Sequence, residues 1–187
     1  MPVAFTPEPL RMTAMDALFH KPISDEEIAT RARRGLYLPR AWFLVAGTGD
    51  AAQPLVAFDL ALMNAGIADV NLVRLSSIVG PDAVRIDPVR LAPGILAATA
   101  YARAESQTPG ERIAAAVAIA RPAEPGRASV IMEYAAACPK DEAEATVRAM
   151  AEEAIANRGL TLAEVESIAT DHVVQQAGAA FAGVVQI

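Results

Sequence analysis

One cysteine, Cys138, and two histidines, His20 and His172, are all the cysteine and histidine in this 187-residue chain. A single cysteine excludes an internal disulfide, and no Cys/His/Asp spacing around the isolated histidines supports a metal site. Cys138 stands before Pro139-Lys140 at the start of a helical pattern and reads as a capping position rather than a nucleophile. No apolar run is long enough to cross a bilayer before a charge interrupts it. The first twenty residues hold Pro2, Pro7, Glu8, Pro9 and Asp16 in place of a basic start and an apolar core, which argues against a secretory signal. Cytoplasm is the simplest compartment. Sixteen Lys and Arg against 22 Asp and Glu leave a net charge of -6, which disfavours a nucleic-acid partner and agrees with a cationic substrate. With 53% hydrophobic and 20% charged residues the chain has a globular composition, and its length suits one domain with its own core. It contains no internal repeat and no second-domain linker.

Five of the thirteen prolines fall in residues 1–39, so this N-terminal extension is poorly suited to sheet. Within it, Ser24-Asp25-Glu26-Glu27 starts a short helix over about 25–34, ending near Gly35. Arg31, Arg33 and Arg34 read as a solvated face or as reaching a neighbouring subunit, with an anion site the alternative. From residue 40 the pattern alternates between strand and helix. Trp42–Ala46 is a short buried strand before a tight Gly47-Thr48-Gly49 turn, which lacks the Lys-Ser/Thr ending of a phosphate loop. Pro54 opens a helix running to Asn64 and stopping at Gly66. Val70 to Ser76 reads as a strand, as do 95–105, 112–121 and 128–135. Lys140 to Arg158 is the clearest helix, with Ala143, Val147, Met150 and Ala154 on one face and Gly159 closing it. Glu164 to Thr170 and Ala177 to Val185 are closing strands. The class is α+β, in a layered sandwich.

One segment carries chemistry. Asn71-Leu72-Val73-Arg74-Leu75-Ser76-Ser77-Ile78 is strand-like and ends in two serines, followed by the turn signal Gly80-Pro81. By itself a Ser-Ser pair there is a polar strand end. A serine hydroxyl beside a strained upstream peptide bond can also attack that bond, convert amide to ester and, after elimination and hydrolysis, leave a pyruvoyl group at a new N-terminus. Such a carbonyl forms an imine with an amino-acid substrate and accepts the electrons released on decarboxylation.

The blocks around this segment favour the second reading. Trp42–Gly49, Pro54–Asp59 with Ala61-Leu62 and Asn64–Ile67, Val70–Ile78, Pro109–Ile113, Val130–Tyr134 and Glu166–Ala169 resemble, in order, motifs of the pyruvoyl-dependent arginine decarboxylases. The resemblance covers residues 42–187. It implies an αββα sandwich, a domain over 40–187 that cleaves itself between Ser76 and Ser77, and homo-oligomers, either trimers or dimers of trimers. It implies a covalent pyruvoyl group from Ser77, with no pyridoxal phosphate and no metal, and neither a membrane nor a nucleic-acid partner. Cleavage would give chains of 76 and 111 residues.

The same resemblance assigns roles to single residues. Asn71 stabilises the oxyanion of the acyl shift, and the plain alternative is an asparagine bonded to backbone. Asn71 and Ser77 share strand parity but lie roughly 20 Å apart along an extended chain, so contact needs a chain reversal or a second subunit. Glu133 sits in the apolar run from Ser129, where desolvation should raise its pKa; the family role is proton donor to Cα, against an edge residue facing solvent. Asp59, with Leu55 and Leu62 on the flanking turns, belongs to the substrate pocket and would pair with a guanidinium. On its own it reads as the wet face of a helix. Ser76 and Ile78 complete the substrate-binding set. The chain departs from the family at Val56, Leu60, Ala68 and Gly80, with added bulk near Asp59 and a looser turn after the serines. None of these changes removes Ser76, Ser77, Asn71 or Glu133. The primary expectation is thus conversion of arginine to agmatine and carbon dioxide. The alternatives are the same chemistry on another amino acid, or a non-processing scaffold subunit.

Overall fold

The computed structural model describes residues 38–187 and, ahead of them, only Glu26, which is helical and exposed. The rest of the expected 25–34 helix, its arginine cluster and His20 lie outside the described residues. The described chain runs β1 (Ala41–Ala51), α1 (Pro54–Asn64), β2 (Asn71–Arg74), β3 (Ile78–Val79), β4 (Val84–Arg85), β5 (Leu96–Ser106), β6 (Arg112–Pro122), β7 (Ser129–Ala136), α2 (Lys140–Ala156), β8 (Leu162–Val173) and β9 (Ala177–Gln186). These strands form two sheets, one ordered β2-β5-β9-β1-β4 and the other β3-β7-β6-β8.

Strand alternation divides the interior into three cores. Successive side chains on a strand point to opposite faces, so a strand buried on both sides reads as an unbroken apolar run. In β6, Ile113, Ala115, Val117 and Ile119 face the layer between the sheets, while Ala114, Ala116, Ala118 and Ala120 face α2. In β9, Ala180, Ala182 and Val184 join the inter-sheet core, and Ala179, Phe181 and Val185 pack under α1. Each helix therefore covers the outer face of one sheet, which gives the expected αββα layering. The buried stripe of α2 runs Ala143, Val147, Ala151, Ala154 and Ile155, so Ala151 takes the place expected of Met150.

The Gly47-Thr48-Gly49 turn is corrected. Both glycines lie inside β1, which pairs with β9 without interruption from Trp42 to Ala51. Their role is steric. A Cβ on Gly47 would stand 2.3 Å from the Ala61 carbonyl oxygen, and one on Gly49 2.2 Å from that of Ala57. The backbone of α1 lies directly on this stretch of strand, which only glycine permits. The expected 70–76 strand is also shorter, since β2 ends at Arg74. Cys138 does not cap α2. Pro139 holds that position, and Cys138 is buried in the core beneath the helix. Burial, and then the nearby Glu142 carboxylate, push its thiol pKa up, which disfavours a thiolate nucleophile.

Two buried-edge carboxylates tie the layers together. Asp171 on β8 accepts the Lys140 backbone N–H at 3.0 Å and the Arg112 guanidinium at 2.8 Å, serving as the cap for α2 from outside the helix. Asp50 on β1 accepts His172 Nε2 at 2.7 Å and the N–H groups of Gln175 and Gln176, pinning the β8–β9 turn. Burial alone would raise both carboxyls. For Asp171 the Arg112 and Lys140 donors outweigh it, and for Asp50 the Gln175, His172 and Gln176 donors do, so both pKa values lie below the ordinary one. Because the folded values are depressed, the stabilisation is complete above the unfolded value of about 4 and is lost as pH falls through the folded values. Asp50→Asn and Asp171→Asn should each cost about 1–3 kcal/mol at pH 7. The doubly substituted protein should show a flatter acid limb in urea unfolding between pH 6 and pH 2.5. Equal acid slopes for wild type and variant would refute this assignment.

Candidate active site

The chain changes sheets at the two serines. Leu75 continues the β2–β5 pairing through one bond, its N–H to the Thr99 carbonyl at 3.1 Å, and packs against the inter-sheet core. Val79, four residues on, is buried in that same core, but from the other sheet. Between these apolar anchors Ser76 is exposed and Ser77 half-buried. A crossing this short forces a sharp backbone turn, and Ser77 takes it with φ 70°. It is the one non-glycine residue with positive φ among the described residues. For an L-residue this conformation costs roughly 1–2 kcal/mol.

Strained as it is, Ser77 is held from three directions. Its carbonyl accepts the Ile131 N–H at 2.8 Å, and Ile78 pairs with Val130 on β7. Its hydroxyl donates a hydrogen bond to Glu133 Oε1. The carbonyl of the next residue, Ile78, accepts the side-chain amide of Gln186 at 3.1 Å from the opposite sheet. Alternation along β7 sends Glu133 to the same face as buried Ile131, toward the inter-sheet layer. Glu133 is only partly buried, because there it meets the rim of a concavity of about 370 Å³ that it lines with Arg74, Tyr101, Arg103, Glu105 and Tyr134. Arg74 lies over the Tyr101 ring at 4.9 Å, and Arg103 over Phe58 at 4.0 Å.

Other residues singled out from the sequence lie elsewhere in the chain. Asn71 is exposed at the start of β2, where its side-chain amide donates to the Gly94 carbonyl at 3.0 Å. Since β2 ends before the serines, the strand-parity argument relating Asn71 to Ser77 does not apply. Asp59 is exposed and lines a separate concavity of about 310 Å³ with Met63, Ala68, Asp69, Arg90 and Leu91. Leu55 and Leu62 do not flank it as a pair, for Leu55 is 73% exposed and Leu62 is buried on the sheet-facing side of α1. Of the departures, only Ala68 lines that concavity. Val56 is exposed, and Leu60 lies on the side of α1 that faces Gly49. The bulk that Val56 and Leu60 add does not line this concavity. Gly80 opens a turn in which its carbonyl accepts the Ala83 N–H at 3.2 Å. Gln186 was not anticipated, although a lone amide ending an otherwise apolar strand was its visible signal. Among the described residues no group of three or more His, Cys, Asp or Glu is placed to hold a metal ion, and no helix is long and apolar enough to cross a membrane.

Fold and site together define a two-sheet α+β sandwich with a strained serine–carboxylate pair where the chain passes between sheets. Residues 41–185 match the family model described as pyruvoyl-dependent arginine decarboxylase. Proteins of that name are 47% identical in Methanocaldococcus jannaschii (145 residues, 78% of this chain and 88% of the relative) and 39% identical in Thermococcus kodakarensis (150 residues, 79% and 94%). One from Pyrococcus abyssi is 38% identical over 144 residues, 76% of this chain and 90% of the relative. The chain belongs to the pyruvoyl-dependent arginine decarboxylase family. The cofactor class is therefore a covalent pyruvoyl group rather than pyridoxal phosphate. Ser77 fits the origin of such a group, with its hydroxyl engaged by a carboxylate and its backbone strained.

The strain can be measured without cleavage. Ser77→Gly and Ser77→Ala both lack the hydroxyl, but only glycine adopts positive φ freely. In urea unfolding Ser77→Gly should be the more stable by up to about 1 kcal/mol. An alanine variant as stable or more so would mean that residue 77 is unstrained.

Proposed function

We propose that the protein is a self-processing pyruvoyl-dependent decarboxylase that converts L-arginine to agmatine and carbon dioxide in the cytoplasm. Residues 40–187 form its catalytic domain and 1–39 an extension. The observation that carries the reading is Ser77, strained at the sheet crossing with its hydroxyl on Glu133, in a chain of this family. Ser77 Oγ attacks the Ser76 carbonyl carbon, the bond from that carbon to the Ser77 nitrogen breaks, and the nitrogen takes up the proton. Loss of the residue-77 Cα proton then breaks the Cβ–Oγ bond and frees Ser76 as a carboxylate. Water replaces the nitrogen, which leaves as ammonia.

The resulting group supplies the carbonyl that accepts the electron pair left when carbon dioxide departs. Glu133 already touches the side chain of residue 77, which supports its reading as the proton donor to the substrate Cα. Asp59, on its exposed helix face, pairs with the substrate guanidinium while Leu55 lies along the alkyl chain. Ser76 and Ile78 flank the reacting centre.

Because Asp59 and Glu133 line different concavities of one chain, and the Asn71 amide is engaged with Gly94, the complete site is read as composite. A second copy in a trimer, or a dimer of trimers, supplies the missing side. Exposed Leu55, Val56 and Met63 on α1, with Val73 and Leu96 at the β2 edge, offer apolar surface for that assembly.

Intact mass under denaturing conditions should show chains of 76 and 111 residues, the second carrying pyruvoyl in place of serine. Ser77→Ala should remain one inactive chain. A persistent single wild-type chain would favour a scaffold subunit, and a panel of amino acids would expose a different substrate. In processed protein, Glu133→Gln should lower kcat by roughly 10²–10⁴-fold. Unchanged turnover in that variant would remove Glu133 from the proton-donor role.

A further inference from the structure

Gln186 stands out among the residues around the serines because it is a neutral amide in a nearly dry interior. It is 1% exposed at the end of β9, beside Trp42 and Ala98 in the register of the five-stranded sheet. Burying an amide is costly unless it is hydrogen-bonded. Its Nε2 reaches across to the other sheet and donates to the Ile78 carbonyl at 3.1 Å. That carbonyl belongs to the residue directly after Ser77.

The geometry points to Gln186 as a positioning residue that holds the segment following the scissile bond, first for self-cleavage and then for turnover. This inference rests on the self-processing reading. β3 has only two residues and pairs with β7 through Ile78 and Val79 alone. Before cleavage, two carbonyl contacts set the plane of the Ser77–Ile78 stretch: Ser77 to the Ile131 N–H, and Ile78 to Gln186. Together they hold the φ of Ser77 positive and keep its hydroxyl on Glu133. After cleavage the covalent link to Ser76 is gone, and residue 77 becomes a free end just ahead of a two-residue strand. The Gln186 bond then keeps that end from fraying away from Glu133. It acts on the reacting group rather than on the substrate, so its loss should lower kcat and leave KM unchanged.

The test compares Gln186→Leu, Gln186→Met and a core control, Val184→Ala, which lies on the same strand and is likewise buried. Both Gln186 variants roughly conserve volume, so at least one should fold. Appearance of the 111-residue chain is followed by mass over time, and thermal unfolding is recorded for each protein. Loss of the bond to the Ile78 carbonyl predicts processing slowed roughly three- to tenfold. In the processed pool kcat should fall by a similar factor at constant KM. Val184→Ala should process at the wild-type rate despite its lower stability. Wild-type processing and kcat in the Gln186 variants would overturn the inference while leaving self-processing intact. So would a change in KM alone, or equal slowing in Val184→Ala, which would mark Gln186 as merely structural. A wild type that never splits would overturn both readings.

Discussion

Everything at the site follows from one constraint: the chain must leave one sheet at Leu75 and be buried in the other by Val79. Both anchors pack into the layer between the sheets, so neither can move out to relax the link. The turn between them falls on Ser77, which occupies a backbone region that a β-carbon disfavours. Strain of this kind persists only where the surroundings over-determine it. Here they do, through the Ile131 N–H, the Glu133 carboxylate and the Gln186 amide.

The surroundings are rigid because they are packed at very short range. The α2-facing side of β6 is alanine throughout, and β1 passes under α1 through glycines that leave no room for a β-carbon. Small residues let backbones approach closely, and close-packed layers deform little. The apolar burial that stabilises the sandwich thus also fixes where the crossing strand runs. A looser core would let Leu75 and Val79 shift by an ångström or two, and Ser77 could then relax to an ordinary φ.

Much of this was legible in the sequence, for reasons that can be named. The segments 112–121 and 177–185 were readable as strands, and Pro54 and Gly159 marked helix boundaries that the structure keeps within a residue or two. Ser77 and Glu133 were legible as a pair only through resemblance, since nothing local joins residues 56 positions apart. The glycines of β1 were misread because Gly-Thr-Gly is a turn signal locally, whereas the demand for glycine came from a helix packing on top. Parity placed Asn71 relative to Ser77 on the premise of a regular strand, and the strand stops at Arg74. Gln186 required knowledge of the opposite sheet.

Under the proposed self-processing, the layout explains how the cut chain would stay folded. Among the described residues, the part before Ser77 contributes β1, α1 and β2, and the part after it everything else. β1 is paired along its length with β9, and β2 with β5, so each N-terminal strand is held by a strand from the other side of the cut. β3 is held separately, by β7. Breaking the bond between Ser76 and Ser77 therefore removes no strand pairing and opens no core. What it removes is the link that forces φ positive at residue 77. Under the proposed processing the interlocked sheets would hold the fold after the cut, so the position where the chain is most strained is also where a break would cost it no pairing.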